Sequence, residues 1–175
     1  MWSRTVDRIR PRTALRWLLP AAWPVRLVFW AAAAATLLVA VASAQPAIGL
    51  AVLILIAHDV FGLWTSFAIH ELGHAVVLGR APGVSALTLE RTPLRLSVTP
   101  HGSIRGRDAF FAAVLGPLCC VAVGLVLWAL APQSLLHIWY LAHGIFLTPL
   151  FSDGRTMLRS AAAWSARFPL RGPAA

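Results

Sequence analysis

Two histidines, a glutamate and a glycine fall close together inside the apolar stretch FAIHELGHAVV, residues 67–77. His70 and His74 are four residues apart, so on a helix they lie on one face and can offer two imidazole nitrogens to a single metal ion. Glu71 follows His70 directly, where a zinc protease keeps the glutamate that takes a proton from the attacking water. The spacing therefore predicts a site for one Zn²⁺ per chain, with His70 and His74 as metal ligands and Glu71 as the catalytic base.

The chain around this motif has the composition of an integral membrane protein. Hydrophobic residues make up 59% of it, charged residues only 12%, and the mean hydropathy is +0.75; a soluble domain carries about twice that charged fraction. An ionisable side chain at membrane depth costs roughly 3 kcal/mol, which makes it a candidate for function. A bound dication would offset that cost for all three ionisable groups, so a metal site is favoured over a chance match.

Four apolar blocks predict four transmembrane helices, at about residues 26–43, 47–79, 108–130 and 135–150. The second block is longer than the ~20 residues that a bilayer needs. It is expected either to tilt and protrude or to kink near HDVFG, residues 58–62. The predicted fold class is thus an all-α integral membrane protein with about four transmembrane helices and a small cytoplasmic β-hairpin.

The basic residues are all arginines and flank the apolar blocks. Fifteen of them against six acidic residues give a formal net charge of +9, and their placement predicts that both termini and the loop 80–107 are cytoplasmic. Residues 1–24 are interpreted as a basic cytoplasmic segment, 25–165 as one membrane-embedded domain and 166–175 as a short cytoplasmic tail. The arginines form no stripe of their own, so nucleic acid is not an expected partner. Exclusive use of arginine favours a bacterial cytoplasmic membrane as the location.

Zinc needs a third protein ligand if a water is to hold the fourth position. The downstream candidates are Glu90, His101, Asp108, Cys119, Cys120, His137, His143 and Asp153. Asp153 is preferred because Pro149 ends the fourth block and the turn expected at Asp153–Gly154 points back to the bilayer from the cytoplasmic side, the side of His70 and His74. Asp153 could also be the N-cap of a following helix, and the two roles can coexist. His143 is interpreted mainly as a packing residue.

The loop between the second and third blocks contains two short alternating segments. LTLE and LRLSV, separated by RTP, each predict a strand with one apolar face, and together a hairpin at residues 83–102. An edge strand offers unpaired backbone groups to which an unwound substrate could add. Leu94, Leu96, Ser97 and Val98 are therefore predicted to bind substrate. The alternative is a plain amphipathic hairpin that caps the helices.

At these residues the sequence resembles the site-2 protease family of intramembrane zinc metalloproteases. HELGH matches the family's H-E-x-x-H motif, and PLFSDGR is similar to its later aspartate motif in the Asp-Gly pair and an upstream proline. AAVLGPLCCVAVGLVL is similar to the family's small-residue segment, with Gly116 and Pro117 in place. The resemblance covers about residues 58–160. The chain has no asparagine, so the family's motif asparagines are absent, and it has no PDZ-like or CBS-like domain.

The resemblance implies a three-helix catalytic core in which an aspartate, here Asp153, completes the metal site. It also implies hydrolysis of a peptide bond within or near a transmembrane segment, so the expected partners are a membrane protein substrate and the lipid bilayer. The alternative is a catalytically inactive metal-binding membrane protein that binds or senses client membrane helices. Glu71 favours the enzyme, because a passive metal site does not need it.

Overall fold

The computed structural model describes residues 2–6, 23–91 and 96–170, and most of them are helical. The helices are α1 (Trp23–Ala42), α2 (Pro46–Ala57), α3 (Thr65–Leu78), α4 (Gly106–Leu130), α5 (Leu136–Leu141) and α6 (Ser152–Ala162). The strands are β1 (Trp2–Val6), β2 (Val84–Arg91), β3 (Leu96–Arg105) and β4 (Arg167–Leu170). Helical turns of the 3₁₀ type at Pro132–Ser134 and Ala142–Leu147 precede and extend α5.

Helices α2 and α3 form one continuous stretch through a π-helical segment at His58–Trp64. The sequence predicted a tilt or a kink near residues 58–62, and the irregularity lies at that place. Its widened turns interrupt the regular i→i−4 hydrogen bonding of the helix. Gly62 allows the segment to pass the ring of Trp139, because a Cβ at this position would collide with the indole.

Two helical stretches among the described residues are long and apolar enough to cross a membrane, Pro46–Leu78 and Gly106–Leu130. Two further apolar helices, Arg26–Ala42 and Leu136–Leu147, are shorter. These four stretches correspond to the four predicted blocks. The number of spans, four, stays a prediction, because length and apolar composition support a crossing only for the first two.

Helix α1 is attached to the π-helical segment by a partly buried ion pair. The Nη2 atom of Arg26 lies 2.6 Å from Oδ2 of Asp59, and the indole Nε1 of Trp30 donates to the same oxygen at 3.2 Å. The guanidinium also stacks over the ring of Trp64, 5.1 Å from its centroid. The neighbouring His58 accepts a hydrogen bond at Nδ1 from Nε1 of Trp139 at 2.9 Å. The polar residues of this segment are therefore partnered within the protein.

The predicted hairpin is the centre of a four-stranded antiparallel sheet with the order β1-β2-β3-β4. Strand β1 pairs with β2 from Trp2↔Arg91 to Val6↔Leu87, and β4 pairs with the end of β3. The interpretation of residues 1–24 as a separate basic segment, and of 166–175 as a tail, missed these two strands. Added strands suit the physics of the element, because a hairpin alone is marginally stable in water. Residues 7–22 lie outside the described part of the chain.

One face of the sheet packs on the C-terminal end of α3 and the N-terminal end of α4. The buried cluster there comprises Leu78, Ala81, Leu87, Ile104 and Ala112, with Val77, Val84, Val98, Ala109 and Leu170 packed around it. The cluster includes Leu78, one helical turn beyond His74, and Ala112 of α4, so the sheet lies directly against the part of the helices that carries the HELGH motif.

Candidate metal centre

The HELGH motif lies in the last half of α3, with its first two side chains buried. His70 is 4% exposed and Glu71 8%. The Nε2 atoms of His70 and His74 are 3.0 Å apart, as the i, i+4 spacing on a helix predicts. A carboxylate oxygen of Glu71 lies within 4.8 Å of a ring nitrogen of each histidine. The two imidazoles thus face one point, and Glu71 is close beside it.

Asp153 reaches the same point from α6. Its Oδ2 atom lies 3.1 Å from Nε2 of His70 and 3.6 Å from Nε2 of His74. The prediction that this aspartate meets the two histidines is confirmed, across a sequence separation of about eighty residues. The N-cap alternative is wrong, because α6 begins at Ser152 with Phe151 as its cap, so Asp153 lies inside the first helical turn. The expected tight turn at Asp153–Gly154 is likewise part of this helix.

The three ligand atoms have the separations that a tetrahedral metal site requires. Bonds of about 2.0–2.1 Å at tetrahedral angles keep neighbouring nitrogen and oxygen ligands about 3.3 Å apart. The observed separations of 3.0, 3.1 and 3.6 Å bracket this value. Two imidazoles and one carboxylate are also the donor types that zinc accepts, so the residues present fit a zinc ion with three protein ligands.

Asp153 is held as an anion. Burial alone raises the pKa of its carboxyl group, but the imidazoles of His70 and His74 beside it outweigh this effect and lower the pKa well below the usual range of an aspartate. The carboxylate is therefore deprotonated at neutral pH, which is the form that a cation binds.

His74 is oriented by a backbone carbonyl of α4. Its Nδ1 atom lies 2.7 Å from the carbonyl oxygen of Ala112, and because that oxygen can only accept, Nδ1 carries the proton. The lone pair of the ring is thereby left on Nε2, the atom that faces His70 and Asp153. The packing of α3 on α4 thus fixes which nitrogen of His74 can bind a metal.

That packing depends on two glycines. A Cβ on Gly73 would lie 2.8 Å from the Cα of Gly116, and a Cβ on Gly116 would lie 2.6 Å from Cε1 of His74 and 2.9 Å from the carbonyl oxygen of His70. Gly73 thus allows the backbone of α4 to approach α3 closely. The small-residue segment around Gly116 therefore contacts the two histidines of the candidate site themselves.

Gly116→Ala is expected to displace His74 and to weaken zinc binding. The new methyl group would collide with the ring of His74 and with a rigid helix carbonyl, an overpacking that costs about 1–3 kcal/mol of stability. Zinc affinity by chelator competition and thermal unfolding measure the two effects. Gly49→Ala in α2 is the matched control, since its Cβ would meet only ordinary contacts at 3.7 Å and beyond. Equal zinc affinity in both variants would contradict the role given to Gly116.

The loop before α6 helps to fix the position of Asp153. Arg155 donates from Nη1 to the carbonyl oxygen of Leu150 at 2.7 Å, which ties the helix back onto the loop. Gly154 lies against the carbonyl of Thr148, where a side chain would collide with the backbone. Pro149, which the sequence predicted as the end of the fourth block, lies in this loop, and the 3₁₀ turn ends at Leu147. The DGR sequence thus combines a candidate metal ligand, a close backbone approach and an anchoring cation.

Five of the other candidate ligands divide into two groups. Glu90 and His101 belong to the sheet, where Nε2 of His101 lies 2.5 Å from Oγ1 of Thr88, and Asp108 pairs with Arg107. Cys120 and His143, by contrast, lie beside His70, with one ligand atom of each of the three within 4.8 Å of the others. Nothing in the sequence indicates this proximity, because a single histidine in an apolar helix does not reveal which neighbouring helix its side chain faces. Both residues are buried.

The predicted substrate-binding strand is β3, although Leu94 lies outside the described residues. Strand β3 pairs with β2 along its length, whereas β4 pairs only with Gly102–Arg105. Among the described residues, the outer edge of β3 from Leu96 to His101 therefore has no strand partner. The backbone N–H of Ser103 donates to the carbonyl oxygen of Gly83, on the β2 side of the strand. Backbone groups alternate between the two edges of a strand, so those of Ser97 also face β2. The backbone groups of Leu96 and Val98 point to the open edge.

Comparison of the chain with protein-family models, curated proteins and solved structures finds no match. The resemblance to the site-2 protease family thus depends on three short motifs. In the structure all three meet at one place: HELGH on α3, Gly116 on α4 and Asp153 on α6.

Proposed function

We propose that this protein is an intramembrane zinc metalloprotease of the site-2 protease type, which hydrolyses a peptide bond within or near a transmembrane segment of a membrane protein. The observation that carries the proposal is the convergence of His70, His74 and Asp153, from two helices, at tetrahedral ligand spacing. The buried Glu71 beside them supports catalysis over passive metal binding, because a structural site has no use for an additional base.

The residues of the site divide the chemistry between them. Zinc, when bound, would polarise the scissile carbonyl and make water a better nucleophile at neutral pH. Glu71 accepts the proton of the attacking water and passes it to the leaving amine, which a carboxylate close to the ligands can do without moving far. His74, held by the Ala112 carbonyl, keeps its Nε2 lone pair directed at the metal position. The anionic Asp153 offsets the charge of the dication.

The open edge of β3 supports a mode of substrate binding. An extended peptide can add to an unpaired edge strand through backbone hydrogen bonds, and this edge belongs to a sheet that packs one helical turn from His74. A helical substrate must unwind before its amide can be attacked, and strand addition holds it unwound. Leu96 and Val98 would supply the backbone groups, whereas Ser97 faces the β2 partner.

Val98→Pro is expected to reduce cleavage of a membrane substrate at least several-fold more than Val98→Ala, with the zinc content unchanged in both. Both substitutions remove the packing of the Val98 side chain against the buried cluster. Only proline also removes the outward-facing backbone N–H. Turnover of a purified substrate and the zinc content of each variant measure the effect. Equal turnover in the two variants would mean that β3 only caps the helices and that the spans grip the substrate.

The site is proposed to open towards the cytoplasm of a bacterial cell, with both termini on that side. Gln133 and Ser165 are both exposed and lie at opposite ends of the helical region. In a background with Cys119→Ala and Cys120→Ala, a cysteine introduced at position 133 is expected to react with an impermeant thiol reagent added outside intact cells. One introduced at position 165 should react only after the cells are opened. The reverse pattern would contradict the proposed orientation.

The proposal is tested most directly by comparing membrane proteomes of cells that produce the wild-type chain or Glu71→Gln. Fragments that begin within or beside a transmembrane segment, and that disappear in the variant, are the expected products. A purified candidate substrate must then be cleaved by the wild-type protein with zinc and not after chelation. If no fragment depends on Glu71 although zinc is bound, the chain is a metal-binding protein without protease activity.

A further inference from the structure

His70 carries a buried ring nitrogen that the metal site does not use. Its Nε2 atom faces Asp153 and His74, while its Nδ1 atom is buried and has no hydrogen-bond partner within the described part of the chain. A buried donor left without an acceptor costs about 1–3 kcal/mol. Histidines that ligate a metal nearly always donate their second N–H to an acceptor, and His74 does so to Ala112.

His143 carries the complementary atom. Its ring is 3% exposed, and its centroid lies 5.2 Å from that of His70. Its Nδ1 atom lies 2.9 Å from the carbonyl oxygen of Trp139 and must donate to it, which leaves a lone pair on Nε2. That Nε2 atom is likewise buried without a partner among the described residues. A donor without an acceptor and an acceptor without a donor are thus found on adjacent rings.

We propose that His143 is a positioning residue for the metal centre: its Nε2 atom accepts, through one buried water, the hydrogen bond that Nδ1–H of His70 donates. The inference rests on the proposed metal site. Two hydrogen bonds to a shared water span about 4.6 Å, and one ring nitrogen of each histidine lies within 4.8 Å of the other. The bond holds the proton of neutral His70 on Nδ1 and leaves the lone pair of Nε2 for the metal.

The surrounding rings hold this pair in place. Phe67 packs edge-on against His143 at 4.9 Å between ring centroids, and Phe146 lies 5.1 Å from the ring of His70. This apolar enclosure keeps bulk water from replacing the acceptor. Without His143, the buried N–H of His70 would therefore have no acceptor, and the tautomer with its proton on Nε2, which cannot bind metal, would be favoured.

A second metal held by His70, Cys120 and His143 is the competing interpretation of this cluster. The hydrogen bonds disfavour it. The Sγ atom of Cys120 donates its proton to the carbonyl oxygen of Ser66 at 3.1 Å, so it is a thiol and not the thiolate that binds metals. His70 would also have to bridge two cations through both nitrogens of one ring.

The test compares His143→Leu, His143→Gln and Phe67→Leu in the full-length chain purified in detergent. The amide oxygen of glutamine can accept at the position of Nε2, leucine cannot, and Phe67→Leu disturbs the packing of the same ring while keeping the acceptor. Zinc affinity by chelator competition, the absorption spectrum of the Co²⁺-substituted protein and metal stoichiometry are measured, with circular dichroism as the check of folding. We expect about 10–100-fold weaker binding in His143→Leu, and values within a few-fold of the wild type in the other two.

The outcomes separate this inference from the proposed function. Wild-type affinity and an unchanged Co²⁺ spectrum in His143→Leu would overturn the role of His143 and leave the protease proposal standing. Losses in His143→Gln or Phe67→Leu equal to that in His143→Leu would also overturn it, because packing would then explain the effect. Two metals per chain in the wild type and one in His143→Leu would make His143 a ligand instead. A wild-type protein that binds no metal would overturn both proposals.

Discussion

Asp153→Ala is expected to remove zinc from the purified protein and to abolish cleavage with it. The substitution deletes one of the three proposed ligands and the only anion among them, and it leaves two imidazoles facing each other at 3.0 Å. Loss of a mere hydrogen-bond partner of a ligand costs about 10–100-fold in metal affinity, so loss of the ligand itself should cost more than 100-fold. Metal content after dialysis and chelator competition measure the loss.

Asp108→Ala is the matched control for this prediction. Asp108 is also an aspartate in the first turn of a helix, at the start of α4, but it pairs with Arg107 and not with the histidines. This variant should keep one zinc per chain and wild-type turnover. His70→Ala and His74→Ala should behave like Asp153→Ala. Full zinc retention in Asp153→Ala would remove Asp153 from the ligand set and would leave the metal site without its third protein ligand.

The local part of the site could be predicted from the sequence, because helix periodicity alone brings His70 and His74 together. Asp153 could be found because the predicted topology returns the chain to the side on which His70 and His74 are expected. The atoms that orient the ligands could not be found in this way. The carbonyl of Ala112 and the acceptor on His143 reach the histidines only through the packing of other helices, and a pattern within one segment carries no information about that packing.

The form of the Asp153 segment was predicted less well than its location. An Asp-Gly pair after a proline favours a tight turn, and the same pair also suits the start of a helix. The hydrogen bond from Arg155 to the Leu150 carbonyl and the close contact of Gly154 with Thr148 favour the helix. These contacts depend on the path of the preceding loop. That loop follows a 3₁₀ turn that the sequence did not indicate.

The sheet, too, could be predicted from the sequence only in part. Alternation in LTLE and LRLSV was sufficient to predict the hairpin, since each segment has one apolar face. Strand β1, WSRTV, has three polar residues in a row, and β4, RFPL, contains a proline, so neither shows the alternation that marks a strand. Both also pair with a hairpin that is distant in sequence. Which backbone groups of β3 face outward depends on its register with β2, and so Val98, not Ser97, is the informative position for a proline.

Glu71→Gln is expected to lower kcat by about 10²–10⁴-fold, the usual contribution of a general base, while one zinc stays bound and KM changes little. The amide keeps the shape of the side chain but cannot take a proton from water. His70, His74 and Asp153, the proposed metal ligands, are unchanged. Single-turnover cleavage of a purified membrane substrate, with metal content measured on the same sample, separates the two effects.

Glu90→Gln is the control for this variant, because Glu90 lies in β2, opposite Ser97, away from the histidines. It should leave kcat and zinc content unchanged. Loss of zinc in Glu71→Gln would mean that Glu71 is itself a ligand, consistent with its carboxylate lying within 4.8 Å of both histidine nitrogens, and the base would have to be sought elsewhere. Undiminished cleavage would end the assignment of Glu71 as the base. The proposed mechanism assigns metal binding and proton transfer to different residues. Retained zinc with lost turnover is the only result that agrees with it.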